Sequence, residues 1–84
     1  MKITVKLFAV YQEAYGLPEI VLDLPEGAIV AQVLDRVLAE HPELERWRSV
    51  TRFGVNLQFV AAETPLATGD EVVLIPPVSG GGRG

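Results

Sequence analysis

Residues 69–77 read GDEVVLIPP, and their reading decides the fold. Gly69-Asp70 is a turn signal. Val72, Val73, Leu74 and Ile75 then form an unbroken apolar run, closed by Pro76 and Pro77. An aliphatic, β-branched run with no polar alternation is the pattern of a strand covered on both faces. The expectation is a strand in the middle of a sheet. The two prolines after it cannot continue the pairing and favour stiff, extended backbone.

The rest of the chain supplies the partners of that strand. Ile3, Val5 and Leu7 alternate with Thr4, Lys6 and Phe8, a strand with one face buried. A break at Gly16 and Pro18 follows. Ile20, Leu22 and Leu24 then alternate again, with Asp23 on the other face, which suggests an antiparallel pair joined by a long loop. From Ile29 the period changes. Val30, Val33, Leu34, Val37 and Leu38 form one helical stripe, opposed by Gln32, Asp35, Arg36 and Glu40. No Ser, Thr, Asp or Asn cap stands near Ile29, so the start is weakly marked. Pro42 marks the end. PELERW reads as a short helical turn with Leu44 and Trp47 inward, and VTRFGVNLQFV as two short strands around Asn56.

The order strand, strand, helix, strand, strand, strand predicts an α+β fold. It is a mixed sheet of four to five strands with one main helix packed on one face, the β-grasp or ubiquitin-like order. If the last strand lies beside the first, the two run parallel. Residues 1–78 are expected to form the domain and 79–84 a flexible Gly-rich tail. The tail, SGGGRG, holds four of the eight glycines.

Composition narrows the function. Eighty-four residues make one domain with a modest core, and 49% hydrophobic residues are too many for a disordered chain. The absence of cysteine excludes disulfides, thiolate catalysis and cysteine-held metal. No stretch approaches the roughly 20 apolar residues of a bilayer span, so a cytoplasmic protein with no membrane partner is the default. A net charge of −4, from 11 acidic and 7 basic residues, argues against nucleic acid. It suits a basic partner or simply solubility.

Catalytic groups are scarce. His41 is the sole histidine, beside Pro42 at a helix end, where an ordinary surface role explains it. With no second histidine and no cysteine, neither a nucleophile–base pair nor a His-rich metal site can be built. Glu40, Glu43 and Glu45 cluster around Pro42, as solvating or capping groups do. No glycine loop lies between a strand and a helix to cradle phosphate. No metal and no bound cofactor are expected. The tail offers something else. Glycines have no Cβ, so their backbone can pass through a channel too narrow for other residues and bring a terminal carboxylate into another protein's active site. From Pro77 to Gly81 the reach is at most about 14 Å. A frayed end is the plain alternative.

TPLATGDEVVLIPPVSGG, residues 64–81, resembles the C-terminal segment of the molybdopterin synthase small subunit family, MoaD. KITVKLFAVYQEAYG and LPEGAIVAQVLDRVLAEHPEL resemble that family's first strand and its helix, so the likeness covers nearly the whole chain. The C-terminal segment is the specific part. The rest would fit most ubiquitin-like sulfur carriers, including the thiamine-pathway carrier ThiS. The resemblance implies a protein that brings no catalytic side chain. An adenylating activating enzyme (MoeB-like) would use ATP on the carboxylate of Gly81, the second glycine of the Gly80-Gly81 pair. Sulfur would then replace one oxygen to give a thiocarboxylate. The large subunit of molybdopterin synthase (MoaE-like) would receive the tail and pass the sulfur to a pterin precursor.

The resemblance places Pro76, Pro77, Val78 and Ser79 on the approach to that site. Phe8, on the polar phase of the first strand, and Phe59 suit an exposed partner patch, or else pack under loops. Arg52 suits its rim, or is an ordinary surface arginine. The family chain normally stops at the diglycine, whereas this sequence continues with Gly82, Arg83 and Gly84. An internal peptide carbonyl cannot be adenylated. Either a peptidase trims after Gly81, or Gly82 or Gly84 is the working glycine, or carrier function is lost. Arg83 would obstruct a glycine-only channel, which disfavours Gly84. The alternative functions are a carrier for thiamine or tRNA thiolation and a ubiquitin-like interaction module without carrier chemistry.

Overall fold

The computed structural model describes residues 1–77. Strand β1 (Lys2–Leu7) is followed by a short helix α1 (Val10–Tyr15), strand β2 (Glu19–Asp23) and the main helix α2 (Val30–Glu40). A 3₁₀ segment (Pro42–Val50) leads to β3 (Arg52–Val55), β4 (Gln58–Val60) and β5 (Glu71–Ile75). The five strands form one sheet in the order β2-β1-β5-β3-β4. β5 is central, parallel to β1 and antiparallel to β3, and β1–β2 and β3–β4 are antiparallel pairs. This is the expected β-grasp arrangement.

The inner face of the sheet carries the core. Ile3, Val5 and Leu7 of β1 and Val72 and Leu74 of β5 are fully buried against Val30, Val33, Leu34, Val37 and Leu38, the stripe of α2. Each such aliphatic side chain contributes about 1.5–3 kcal/mol by leaving water. Leu44 packs into this core, and Trp47 packs against it partly buried. The start of α2 has a cap after all. The Gln32 side chain reaches back and accepts the Ile29 amide at 2.9 Å, half of a capping box.

Two readings need correction. The loop after β1 contains α1. It has six residues, too few for a helical period to show against the propensities of its members. Tyr11 fixes it by burying its ring completely, and Gly16 ends it in the left-handed conformation (φ 69°) with its amide on the Gln12 carbonyl at 2.8 Å. Second, β5 is central but is not covered on both faces. Val72 and Leu74 are buried, while Val73 and Ile75 between and beyond them remain partly open. A run that is apolar throughout records that both faces avoid water, not that this chain covers both.

Among the described residues no helix is long and apolar enough to cross a membrane. Nor does any group of three or more His, Asp or Glu among them converge to hold a metal ion.

Candidate functional site: the outer face of the sheet and the tail root

Strand register builds the outer face. Lys6 lies opposite Glu19 on one side and Val73 on the other, Gly54 opposite Val73, and Phe59 opposite Gly54. One row, Glu19–Lys6–Val73–Gly54–Phe59, therefore crosses all five strands, and its side chains share a face because strand side chains alternate. One step toward the tail, Ile75 faces Arg52 across β3. Phe8 directly follows Leu7, which pairs with Leu74.

The row changes character along its length. At the β2–β1 end charges are matched to one another. Lys6 Nζ lies 2.7 Å from Glu19 and 3.9 Å from Glu71, and the hydrogen bond to Glu19 raises its pKa. Lys2 and the terminal ammonium lie 3.7 and 3.2 Å from Asp23. That ammonium donates to the Asp23 carboxylate and holds it below the usual aspartate range. At the β5–β3–β4 end the face is apolar: Val73, Ile75, Gly54 and Phe59. Phe59 is 75% exposed and Phe8 50%. Gly54 leaves a shallow seat there. A Cβ on it would lie 3.5 Å from the Gln58 carbonyl oxygen, 3.7 Å from Val73 Cβ and 4.0 Å from Ile75 Cδ1, so the space is bordered by the next strand's backbone and by those two side chains.

The apolar end leads into the tail root. Pro76 is buried and Pro77 exposed, so the surface path of the chain begins at Pro77. Pro77 borders a cleft of about 450 Å³ with Ser49, Val50, Thr51 and Arg52. The floor of this region is fixed by a buried relay. Thr51 donates its hydroxyl to the Trp47 carbonyl at 2.8 Å, which leaves Tyr11 to donate to Thr51 Oγ1 at 2.5 Å. Burial raises the pKa of Tyr11. The relay ties α1, just after Phe8, to the start of β3, just before Arg52.

Of the residues singled out in the sequence, the structure brings Phe8, Phe59, Pro76, Pro77 and Arg52 to this face or its edge. Val78, Ser79, Gly80 and Gly81 lie outside the described residues. His41 is apart from it: its ring stacks edge-on against Tyr15 at 4.4 Å, with Nδ1 3.4 Å from Glu43. Val73, Ile75 and Gly54 were missed. Their place depends on register, and the sequence carries only one weak signal for it, a glycine inside a strand pattern, which marks close approach.

Comparison with known proteins adds identity to this geometry. The ThiS family profile matches residues 5–81. A molybdopterin synthase sulfur carrier subunit from Chlamydomonas reinhardtii is 36% identical over 83 residues, covering 96% of this chain and 100% of the relative. The crystal structure of SAMP1 from Haloferax volcanii has a TM-score of 0.82 at 32% identity, covering 96% of this chain and 100% of that one. A chain in a complex of subunits 1 and 2 of the molybdopterin-converting factor from Helicobacter pylori has a TM-score of 0.64 at 28% identity, covering 96% and 100%.

Proposed function

The chain belongs to the ThiS family, and on that premise we propose that it is the sulfur-carrier small subunit of a molybdopterin synthase. The observation that carries this reading is the continuity of the apolar outer face, through Ile75 and the two prolines, with the segment in which the family match ends at Gly81. A face that offers Phe8, Val73, Ile75 and Phe59 is suited to hold a partner. The glycines beyond it are suited to enter that partner's active site. The Helicobacter pylori complex of subunits 1 and 2 supports a large subunit as that partner.

In this reading the protein supplies a reagent and no catalytic side chain. A peptidase hydrolyses the Gly81–Gly82 bond and frees the Gly81 carboxylate. On an activating enzyme, one carboxylate oxygen attacks the α-phosphorus of ATP, and pyrophosphate leaves. Sulfide (HS⁻) then attacks the acyl carbon, AMP leaves, and loss of the proton gives a thiocarboxylate. Bound to the large subunit in the cytoplasm, the thiocarboxylate sulfur attacks a carbon of the pterin precursor and displaces an oxygen leaving group, forming a thioester. Water then attacks the thioester carbonyl, which leaves the sulfur on the pterin and returns Gly81 as a carboxylate. No cofactor is held by the carrier, and ATP is consumed by its activating enzyme.

The test is activation of chains ending at Gly81, Gly82 and Gly84, followed as pyrophosphate release with the activating enzyme and ATP. The chain ending at Gly81 should turn over and support sulfur transfer. Gly81→Ala in that chain should lose most transfer with unchanged thermal unfolding, because a methyl group cannot enter a glycine-only channel. Equal transfer from the chain ending at Gly84 would refute the assignment of Gly81. The likeness to the small archaeal modifier protein 1 of Haloferax volcanii, 34% identical over 87 residues, favours one second reading. The same activated glycine would acylate a lysine amine.

A further inference from the structure

We infer that Leu57, at the tip of the β3–β4 hairpin, is an anchor residue that inserts into an apolar recess of the large subunit docked on the outer face. Leu57 follows Asn56 in the two-residue loop between Val55 and Gln58, and both have positive φ, 48° and 73°. This is the pattern of a type I′ turn, whose second position glycine fills at no steric cost. A leucine there crowds its Cβ against the backbone. It is also 90% exposed, the most exposed large apolar side chain among the described residues, so it gains nothing from its own core. The fold alone gives no reason for leucine at this position.

The tip is held rigidly. Asn56 donates its amide to the Glu71 carbonyl at 2.9 Å and its Nδ2 to Asp70 at 3.1 Å, and its Oδ1 accepts the Glu71 amide at 3.1 Å. Three hydrogen bonds thus brace the residue beside Leu57 against the turn that starts the central strand. The brace holds the turn backbone, so a partner that contacts Leu57 need not also order the loop. The hairpin also carries Phe59, two residues on, at the apolar end of the outer face. Leu57 lies two residues before Phe59, at the Glu71 end of the sheet and away from the tail root, and the occupant is the protein that covers Phe59. A single exposed leucine is ordinary on a protein surface. A leucine in a glycine conformation, on a braced turn two residues from an exposed phenylalanine, is not.

This inference rests on the docking reading above, so the experiment separates the two. Affinity of the full chain for the cognate large subunit is measured by calorimetry for Leu57→Gly, Leu57→Asn, Leu57→Met and Phe59→Ala, with thermal unfolding of each. Glycine and asparagine both accept the left-handed conformation, so neither variant should unfold earlier than the parent, and Leu57→Gly should unfold a few degrees later. Both should bind about tenfold more weakly. Leu57→Met, which keeps an apolar side chain, should bind within about twofold of the parent. If Phe59→Ala weakens binding and Leu57→Gly does not, the docking reading stands and the Leu57 anchor is wrong. If neither changes affinity, the docking face itself is misassigned and the anchor falls with it.

Discussion

Val72 and Leu74 are completely buried, while Val73 and Ile75, on the same strand and of the same chemistry, stand half-open on the opposite face. The first pair is covered by α2 and holds the domain together. The second pair is only partly covered by the described residues and borders Gly54, Phe59 and the tail root. Identical residue types therefore take two different roles according to what lies over them. The apolar content of β5 exceeds what its inner face needs, and the excess is what the proposed docking face uses.

Substitutions on the two faces should separate stability from binding. The largest effect belongs inside. Leu74→Ala should cost about 2–5 kcal/mol in chemical denaturation, because it leaves a cavity under α2. A small domain holds little more than that in total, so much of the protein should be unfolded. Ile75→Glu, one residue along, should behave oppositely. Its carboxylate would lie directly across from Arg52, so stability should change by no more than about 1 kcal/mol. Binding of the large subunit should weaken by about a hundredfold or more, because a charge would have to be desolvated in an apolar contact. If Ile75→Glu unfolds the protein as readily as Leu74→Ala, the two faces do not differ in the way described.

The smallest effect lies in exposed charge pairs, one at the β2–β1 end of the outer face and one on the 3₁₀ segment. The terminal ammonium holds the Asp23 carboxyl below its usual range, and Arg48 does the same for Glu45. A carboxyl with a lowered folded pKa adds stability that is complete above its unfolded value. That stability is lost as pH falls through the folded value, below about pH 4 here. Both groups are exposed, so the loss should be slight. Asp23→Asn should flatten the acid limb of the stability curve and leave the neutral plateau nearly unchanged. A steeper acid limb in the variant would contradict this assignment.

The sequence made legible whatever depends on period or on chemistry. The stripe of α2, the central place of β5 and the strands around Asn56 all follow from residue types and spacing. It hid what depends on shortness or register. Six residues of α1 could not display a period, and its anchor, Tyr11, finds its partner Thr51 forty positions away. Phe59 could be flagged as an aromatic, but its alignment with Gly54 and Val73 needs three strands to be paired first. The left-handed backbone of Leu57 has no signature, since glycine, the residue usually found at that turn position, is replaced there by leucine. Pro76 and Pro77 read alike in sequence and differ in the fold, one buried and one exposed.

The reagent role of Gly81 is tested most directly by the intact mass of the protein taken from its native host. The expected species ends at Gly81, and a fraction of it carries sulfur in place of one carboxylate oxygen. A population consisting only of chains that retain Gly82, Arg83 and Gly84, with no activation by the cognate enzyme even after truncation to Gly81, would contradict the carrier function.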